Sequence, residues 1–399
     1  MATLLLIIVY ISFISLGLPD TLLGTAWPVM RTQFGATLDM AGVISFTVSV
    51  GTVISSLMSS KVIQKFGTGL TTFVSVSATA LALLAYSFSN SFIWLIAAAI
   101  PLGLGGGAVD AALNDFIANH YKARHMNWLH CFWGVGAMTG PFIMSFWLAR
   151  NSQWQMGYRT VAIVQISLAI ILALSLPLWK KADKTAEKKD SAVEQKAIGN
   201  MTALKLPGVK IALIGFFCYC AAELSTGLWG SSYFVESKGI SAERAAVFTS
   251  MFFGGITLGR FLSGFLTSKF NNKTLIRIGE ALCLLGAVLI ALPLHYYFAV
   301  AGLMLFGLGC APIYPSMLHE TPARFGAEYS RTVMGLQMAI AYIGSTIMPP
   351  ILGFIAERTS IEIYPFFLII VIILMVISTE KTNIFVKIKD VKSQNLKTE

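Results

Sequence analysis

Twelve long apolar runs, separated by short polar, Gly or Pro clusters, dictate what this chain can fold into. They cover 4–34, 39–63, 69–89, 92–121, 126–150, 157–179, 208–236, 241–269, 274–294, 297–323, 328–356 and 361–379. A helix that crosses the hydrocarbon of a bilayer needs about 20 apolar residues, so each run is long enough to span. Runs longer than that predict helices that tilt or project beyond the hydrocarbon. Of the 399 residues 56% are hydrophobic and 12% charged, where a soluble domain carries about 25% charged residues. Water could not solvate the outside of such a chain. Lipid can, provided every backbone group is bonded within a helix. We therefore expect an all-α membrane protein of twelve transmembrane helices. The first run lacks a basic leader and is followed by further spans, so it reads as an uncleaved helix.

Charge sets the orientation. Twenty-three of the 29 Lys and Arg fall in the loops and tail that lie on one side of the membrane. The remaining six are Arg31, Arg150, Arg159, Lys238, Arg244 and Arg358. Basic loops stay inside, so both termini are expected in the cytoplasm and the chain in the cell membrane. The net charge of +10 is thus an orientation signal. No basic patch carries the interleaved aromatics that nucleic acid needs, so nucleic acid is not an expected partner. Cys131, Cys218, Cys220, Cys283 and Cys310 all lie in apolar runs and read as packing residues, not as a disulfide framework or a metal site.

The chain repeats itself at an offset of about 204–208 residues. Gly103-Leu104-Gly105 recurs as Gly307-Leu308-Gly309, Gly140-Pro141 is echoed by Pro349-Pro350, and Leu23-Gly24 by Trp229-Gly230. Duplication accounts for a near-constant offset. We expect two six-helix bundles, 1–179 and 208–380, joined by a polar linker at 180–207 and followed by a tail at 381–399. A solute would sit between the bundles, near the midplane.

Ionisable side chains deep in spans are costly, on the order of 3 kcal/mol, and mark function. Asp20 lies sixteen residues into the first run, about 24 Å along a helix, after the helix-loosening Gly17-Leu18-Pro19. Asp110 shares a narrow stripe with Gly103, Gly107 and Asn114, expected to face the cavity. Carboxyls in such a cavity can take up and release protons, which is what coupling to a proton gradient requires. Glu223, in the seventh run, is a third candidate, and Arg260, in the eighth, is a natural partner for a carboxylate or a gate. His130 shares a face with Asn127, beside Trp133, which points to a substrate or proton role. Trp229, Tyr233, Gln337 and Tyr342 are aromatic or amide groups of the kind that stack on and bond sugars. Trp27 and Tyr314 belong with them. Glu320 and Arg324, four apart at a helix end, predict a local ion pair. No phosphate-binding Gly-rich loop with Lys and no His-Glu-x-x-His sequence is present, which argues against a nucleotide-driven pump and against a metalloenzyme. No cofactor or metal is expected, and the chain is expected to act as a monomer.

Four segments carry a family resemblance. They are Gly17-Leu18-Pro19-Asp20-Thr21-Leu22-Leu23-Gly24, Asp110-Ala111-Ala112-Leu113-Asn114, Tyr219-Cys220-Ala221-Ala222-Glu223-Leu224-Ser225-Thr226-Gly227 and Gly255-Ile256-Thr257-Leu258-Gly259-Arg260. With the twelve-span layout, they make the chain resemble the major facilitator superfamily, in particular its fucose–proton symporter branch. The resemblance implies the major facilitator fold, alternating access, and proton-coupled symport of a sugar. It implies that Asp20 and Asp110 form the protonation and sugar-recognition pair, and that His130, where the branch has Gln, faces the substrate beside Asn127. Asp110 stands where the branch has Glu, so a sugar-like solute is expected and not fucose in particular. The superfamily's acidic and basic signature between the second and third spans is reduced here to Ser60, Gln64, Lys65 and Gly67. A proton-coupled drug or metabolite efflux antiporter of the same fold fits the buried carboxyls as well. A non-transporting receptor or a membrane enzyme fits less, given the repeat and the missing catalytic constellation.

Overall fold

A computed structural model gives the fold. It describes the backbone of residues 2–121, 123–151, 153–186, 199–267 and 269–398. Side chains are described for the same residues except 2, 60, 119, 123, 124, 127, 182–186, 327, 328, 331 and 386–398. Among the described residues there is no strand.

Twelve helices are long and apolar enough to cross a membrane. They are Thr3–Phe34, Met40–Ser59, Thr68–Ser87, Phe92–Ala118, Trp128–Leu148, Trp154–Lys181, Val209–Glu236, Ala242–Leu266, Asn272–Ala291, Tyr296–His319, Thr332–Arg358 and Ile361–Phe385. We refer to them as the first to twelfth spans. The sequence-based spans agree with them within a few residues. Two places differ in kind. The first span is broken: one helix runs Ala2–Asp20, Thr21 makes a turn, and a second runs Leu22–Phe34. The tenth run includes a separate short helix, Thr321–Phe325, entered at Pro322. The expected linker lies partly outside the described residues, at 187–198. Its described ends belong to the sixth-span helix, which continues to Ala186, and to a short helix at Asn200–Leu204.

Each half is built by the same close approaches, and they fall at a constant offset of 204 residues. In the first half, a side chain at Gly103 would collide with the Val48 carbonyl of the second span, and one at Gly105 with Ser75 and Thr79 of the third. In the second half, a side chain at Gly307 would collide with the Phe252 carbonyl of the eighth span, and one at Gly309 with Gly279 and Cys283 of the ninth. Glycine at these crossings lets backbones meet where lipid supplies no hydrophobic drive for helix association. The expected duplication is therefore visible as packing, pair by pair.

The halves meet along the first and seventh, second and eleventh, and fifth and eighth spans. One polar tie, between Tyr342 and Ser56, lies near the linker-side end of the second span, and three others lie toward the opposite end. Arg31 pairs with Glu236 at 3.1 Å. The Leu38 amide donates to Glu357 Oε2 at 2.7 Å. Ser250 Oγ donates to the Met138 carbonyl at 2.8 Å. Backbone approaches reinforce them: Gly24 lies against Gly227 and Leu228, and Gly42 against Pro350. On the linker side of the second half, Glu320 and Arg324 form the local pair expected from their spacing, at 3.7 Å. Arg324 lies outside the spans. Burial holds its guanidinium below the ordinary value, against the opposing pull of Glu320.

Candidate functional site

The break in the first span positions the first carboxyl. Pro19 lacks the N–H that would continue the helix, so the turn at Thr21 follows directly on Asp20. Gly17 packs on the Trp133 backbone of the fifth span, and Gly24 on that of Gly227 in the seventh. Asp20 stands three residues after one glycine and four before the other, so it shares their face. That face looks toward the junction of the two halves and not toward lipid. Asp20 is nonetheless exposed, although it lies about 27 Å from the start of its helix. Both facts fit a crevice between the halves that is open to solvent.

The second carboxyl, Asp110, is half-buried on the fourth span. Asn114 Nδ2 donates to its backbone carbonyl and to its Oδ1, each at 2.9 Å. Asn114 thus holds the Asp110 carboxyl against its own helix. Asp110 lies close enough to Asp20, Tyr314 and Tyr342 for its charge to act on them. Neither Asp20 nor Asp110 shares an ion pair among the described residues.

From Asp20 a chain of contacts crosses to the other half. The indole N–H of Trp133 donates to Asp20 Oδ2 at 2.8 Å. The guanidinium of Arg260 stands 5.3 Å from the centre of a Trp133 ring, within cation–π range. Arg260 pairs with Glu223 at 3.6 Å. His130 is exposed, packs edge-on against Phe13 at 5.8 Å, and feels the charge of Arg260. Asp20, His130, Trp133, Glu223 and Arg260 are therefore brought together, with Asp110 and Tyr342 on the adjoining wall.

Other expected site residues are placed elsewhere. Trp229 is fully buried, donates to the Pro349 carbonyl at 2.8 Å and packs on Gly353, so it welds the seventh span to the eleventh. Tyr233 is buried, donates to the Ile290 carbonyl at 2.9 Å and packs on Tyr364. Gln337 is buried and accepts from Thr321 at 2.9 Å, tying down the short helix after the tenth span. Each of the three has a polar atom engaged in a packing contact with a neighbouring element. Trp27 likewise donates to the Leu38 carbonyl at 3.0 Å. The side chain of Asn127 lies outside the described residues. Gly103 and Gly107 face the second span and not the cavity, because their part of the stripe is a helix crossing.

Two residues the sequence reading passed over also approach the site. Gln165 of the sixth span and Thr79 of the third are fully buried and bonded to each other at 2.8 Å. The Gln165 amide continues to the first span, five residues before Asp20. An amide inside an otherwise apolar run was the available signal.

Two repeated six-helix halves around a polar crevice make a solute transporter, not an enzyme. A model of the Major Facilitator Superfamily matches residues 9–349, and the chain belongs to that family. Among its relatives is the glucose/mannose transporter GlcP of Bacillus subtilis, 22% identical, with 88% of each chain covered. Another is the Bypass of stop codon protein 6 of Saccharomyces cerevisiae, 24% identical, covering 89% of this chain and 77% of that protein. The fold is shared with the nucleoside transporter NupG, at TM-score 0.75 and 14% identity over 96% of this chain and 98% of that one. It is also shared with a D-xylose–proton symporter, at TM-score 0.70 and 12% identity over 93% and 96%.

Proposed function

We propose that this protein is a secondary transporter that carries a sugar or sugar-like solute together with protons by alternating access. The single observation that carries the reading is the state of Asp20. It is a carboxyl deep in a span, exposed to a crevice between the halves, bonded to a neutral indole and free of any ion pair among the described residues. Such a carboxyl can exchange protons with water as the crevice opens to one side and then the other. Asp110, held by Asn114 and facing Tyr342, supplies oxygens for hydroxyl groups and a second proton site. His130 and Trp133 supply a ring edge and a ring face beside them. Glucose and mannose, carried by one relative, and D-xylose with protons, carried by a protein of the same fold, support a polyhydroxylated cargo.

In this reading the chain works as a monomer in the cytoplasmic membrane with both termini inside, as the loop charges imply. Three of the ties between the halves lie at the other end, which supports a crevice that opens to the cytoplasm.

The test is proton movement. Adding a transported sugar to de-energised cells should alkalinise the medium, and Asp20→Asn should abolish both that signal and accumulation while the protein still inserts. Undiminished accumulation in both Asp20→Asn and Asp110→Asn overturns the coupling role. Acidification on adding solute would instead identify a proton antiporter of the same fold.

A further inference from the structure

Proline inside a helix leaves a carbonyl without its donor, one turn back. In the helix that precedes the break, Ala2–Asp20, the proline is Pro19, so the carbonyl is that of Ser15. This carbonyl is not left empty. Gln165 Nε2, from the sixth span, donates to Ser15 O at 2.9 Å. The partner on the other side of the amide is Thr79, from the third span, at 2.8 Å. Ser15, Thr79 and Gln165 are all 3% exposed or less, so no water competes.

The directions of these bonds are fixed by chemistry. A carbonyl can only accept, so the amide nitrogen of Gln165 must face Ser15. Its oxygen then faces Thr79, whose single hydroxyl proton must go to that oxygen and not to the Val76 carbonyl that is also within reach at 2.9 Å. The result is a two-link brace from the third span, through the sixth, to the one backbone acceptor that the proline sets free. The turn at Thr21 and the Asp20 carboxyl follow within the next turn of helix.

We infer that Gln165, oriented by Thr79, is a positioning residue for Asp20: it fills the acceptor freed by Pro19 and so fixes the break that aims the carboxyl into the crevice. The role rests on Asp20 being the proton-exchanging group, but the brace itself does not depend on which solute is carried. An apolar side chain at 165 would leave Ser15 O buried and unbonded, and the first span would relax around the break. Replacing Pro19 by alanine restores an N–H at position 19 that can bond Ser15 O directly. The amide then becomes dispensable. That interdependence separates a brace acting through the proline from ordinary core packing.

The experiment is site-resolved labelling of carboxyls by a hydrophobic carbodiimide on purified protein, read by peptide mass spectrometry across pH. Asp110 in the same digest is the internal control. Gln165→Leu should change Asp20 labelling by about fivefold or more relative to Asp110 and displace its pH profile. In the Pro19→Ala background the same substitution should change it by less than about twofold. Thr79→Val, which frees the amide to turn, should act in the same direction as Gln165→Leu and be suppressed in the same way. It serves as the working variant where Gln165→Leu does not insert. Unchanged Asp20 labelling in the substituted proteins overturns the inference. So does an equal effect with and without Pro19. Because labelling needs no solute, a failure of proton-coupled uptake with an intact labelling pattern would count against the transport reading alone.

Discussion

The two halves are copies in architecture and opposites in electrostatics. The first half places Asp20 and Asp110 beside the crevice with only neutral partners, Trp133 and Asn114. The second half places Glu223 one turn away from the position that matches Asp20 and ties it to Arg260 at 3.6 Å. By the offset that joins Leu23-Gly24 to Trp229-Gly230, Asp20 corresponds to Thr226, whose hydroxyl merely bonds the Ala222 carbonyl one turn back at 2.8 Å. The broken first span likewise corresponds to an unbroken seventh, a single 28-residue helix without proline. One copy has a carboxyl with no ion pair among the described residues. The other has a carboxyl whose charge is already matched, on a helix with no break to move. The guanidinium that matches it also reaches back to Trp133, and so the ion pair in one half is linked through that indole to the Asp20 carboxyl in the other.

Thermal unfolding of the purified protein should break this comparison most sharply. Arg260→Met leaves Glu223 in a poorly solvated site without its cation, and removing one member of a buried pair costs about 3 kcal/mol. Adding Glu223→Gln should recover most of that loss, because a neutral amide needs no counter-charge. A single-variant cost under about 0.5 kcal/mol would mean that solvent, not Arg260, satisfies Glu223. The supposed opposition between the halves would then vanish.

Asp20→Asn should show the reverse pattern. It removes no ion pair, so unfolding should move by less than about 1 kcal/mol. Gradient-driven accumulation should nevertheless collapse to equilibration, with solute exchange across the membrane retained. A variant that unfolds as readily as Arg260→Met would place Asp20 among the structural residues.

How much of this was legible in the sequence follows from what each signal reports. Hydropathy reports lipid contact and length, and the twelve spans came through within a few residues. Gly-Leu-Pro-Asp reports a loosened helix before a carboxyl, and the structure turns it into an actual break at Thr21. Which way an aromatic points is not reported at all. Trp229, Tyr233 and Gln337 sit in spans at plausible depths, yet each satisfies its polar atom on a neighbouring helix. A bundle interior without water must satisfy such groups on protein, so aromatics and amides mark helix contacts as readily as cavities. Gln165 was legible in principle by the same rule, as an amide within an apolar run. Its partner was not, because the third and sixth spans meet only in three dimensions.

Trp133→Phe sharpens the comparison at a smaller scale. The phenyl ring keeps a face for Arg260 and loses the donor to Asp20 Oδ2. One hydrogen bond to a charged group is worth about 1.5 kcal/mol at the low end, roughly tenfold in the apparent proton affinity of uptake. Unfolding should respond less than it does to Arg260→Met. Uptake with an unaltered proton dependence would mean that the indole N–H is a packing contact, and that the relay between the halves ends at the cation–π contact.

The smallest effect is expected at the end away from the linker. Arg31 and Glu236 join the halves at 3.1 Å, but their side chains are 28% and 23% exposed. A pair so open to water contributes about 0.5 kcal/mol. The backbone approaches of Gly24 to Gly227 and of Gly42 to Pro350 lie close by and are independent of charge. Arg31→Gln should therefore raise opening at this end by only about twofold. Ser250→Cys provides the reporter, since the Ser250 hydroxyl is buried where it bonds Met138 across the two halves. Maleimide reaction at that thiol, followed by peptide mass spectrometry to separate it from the five native cysteines, reads the opening. A rise of about tenfold would exceed what a solvated pair can supply. Charge would then hold this end as it holds Glu223 in the second half, and close backbone packing would be secondary there.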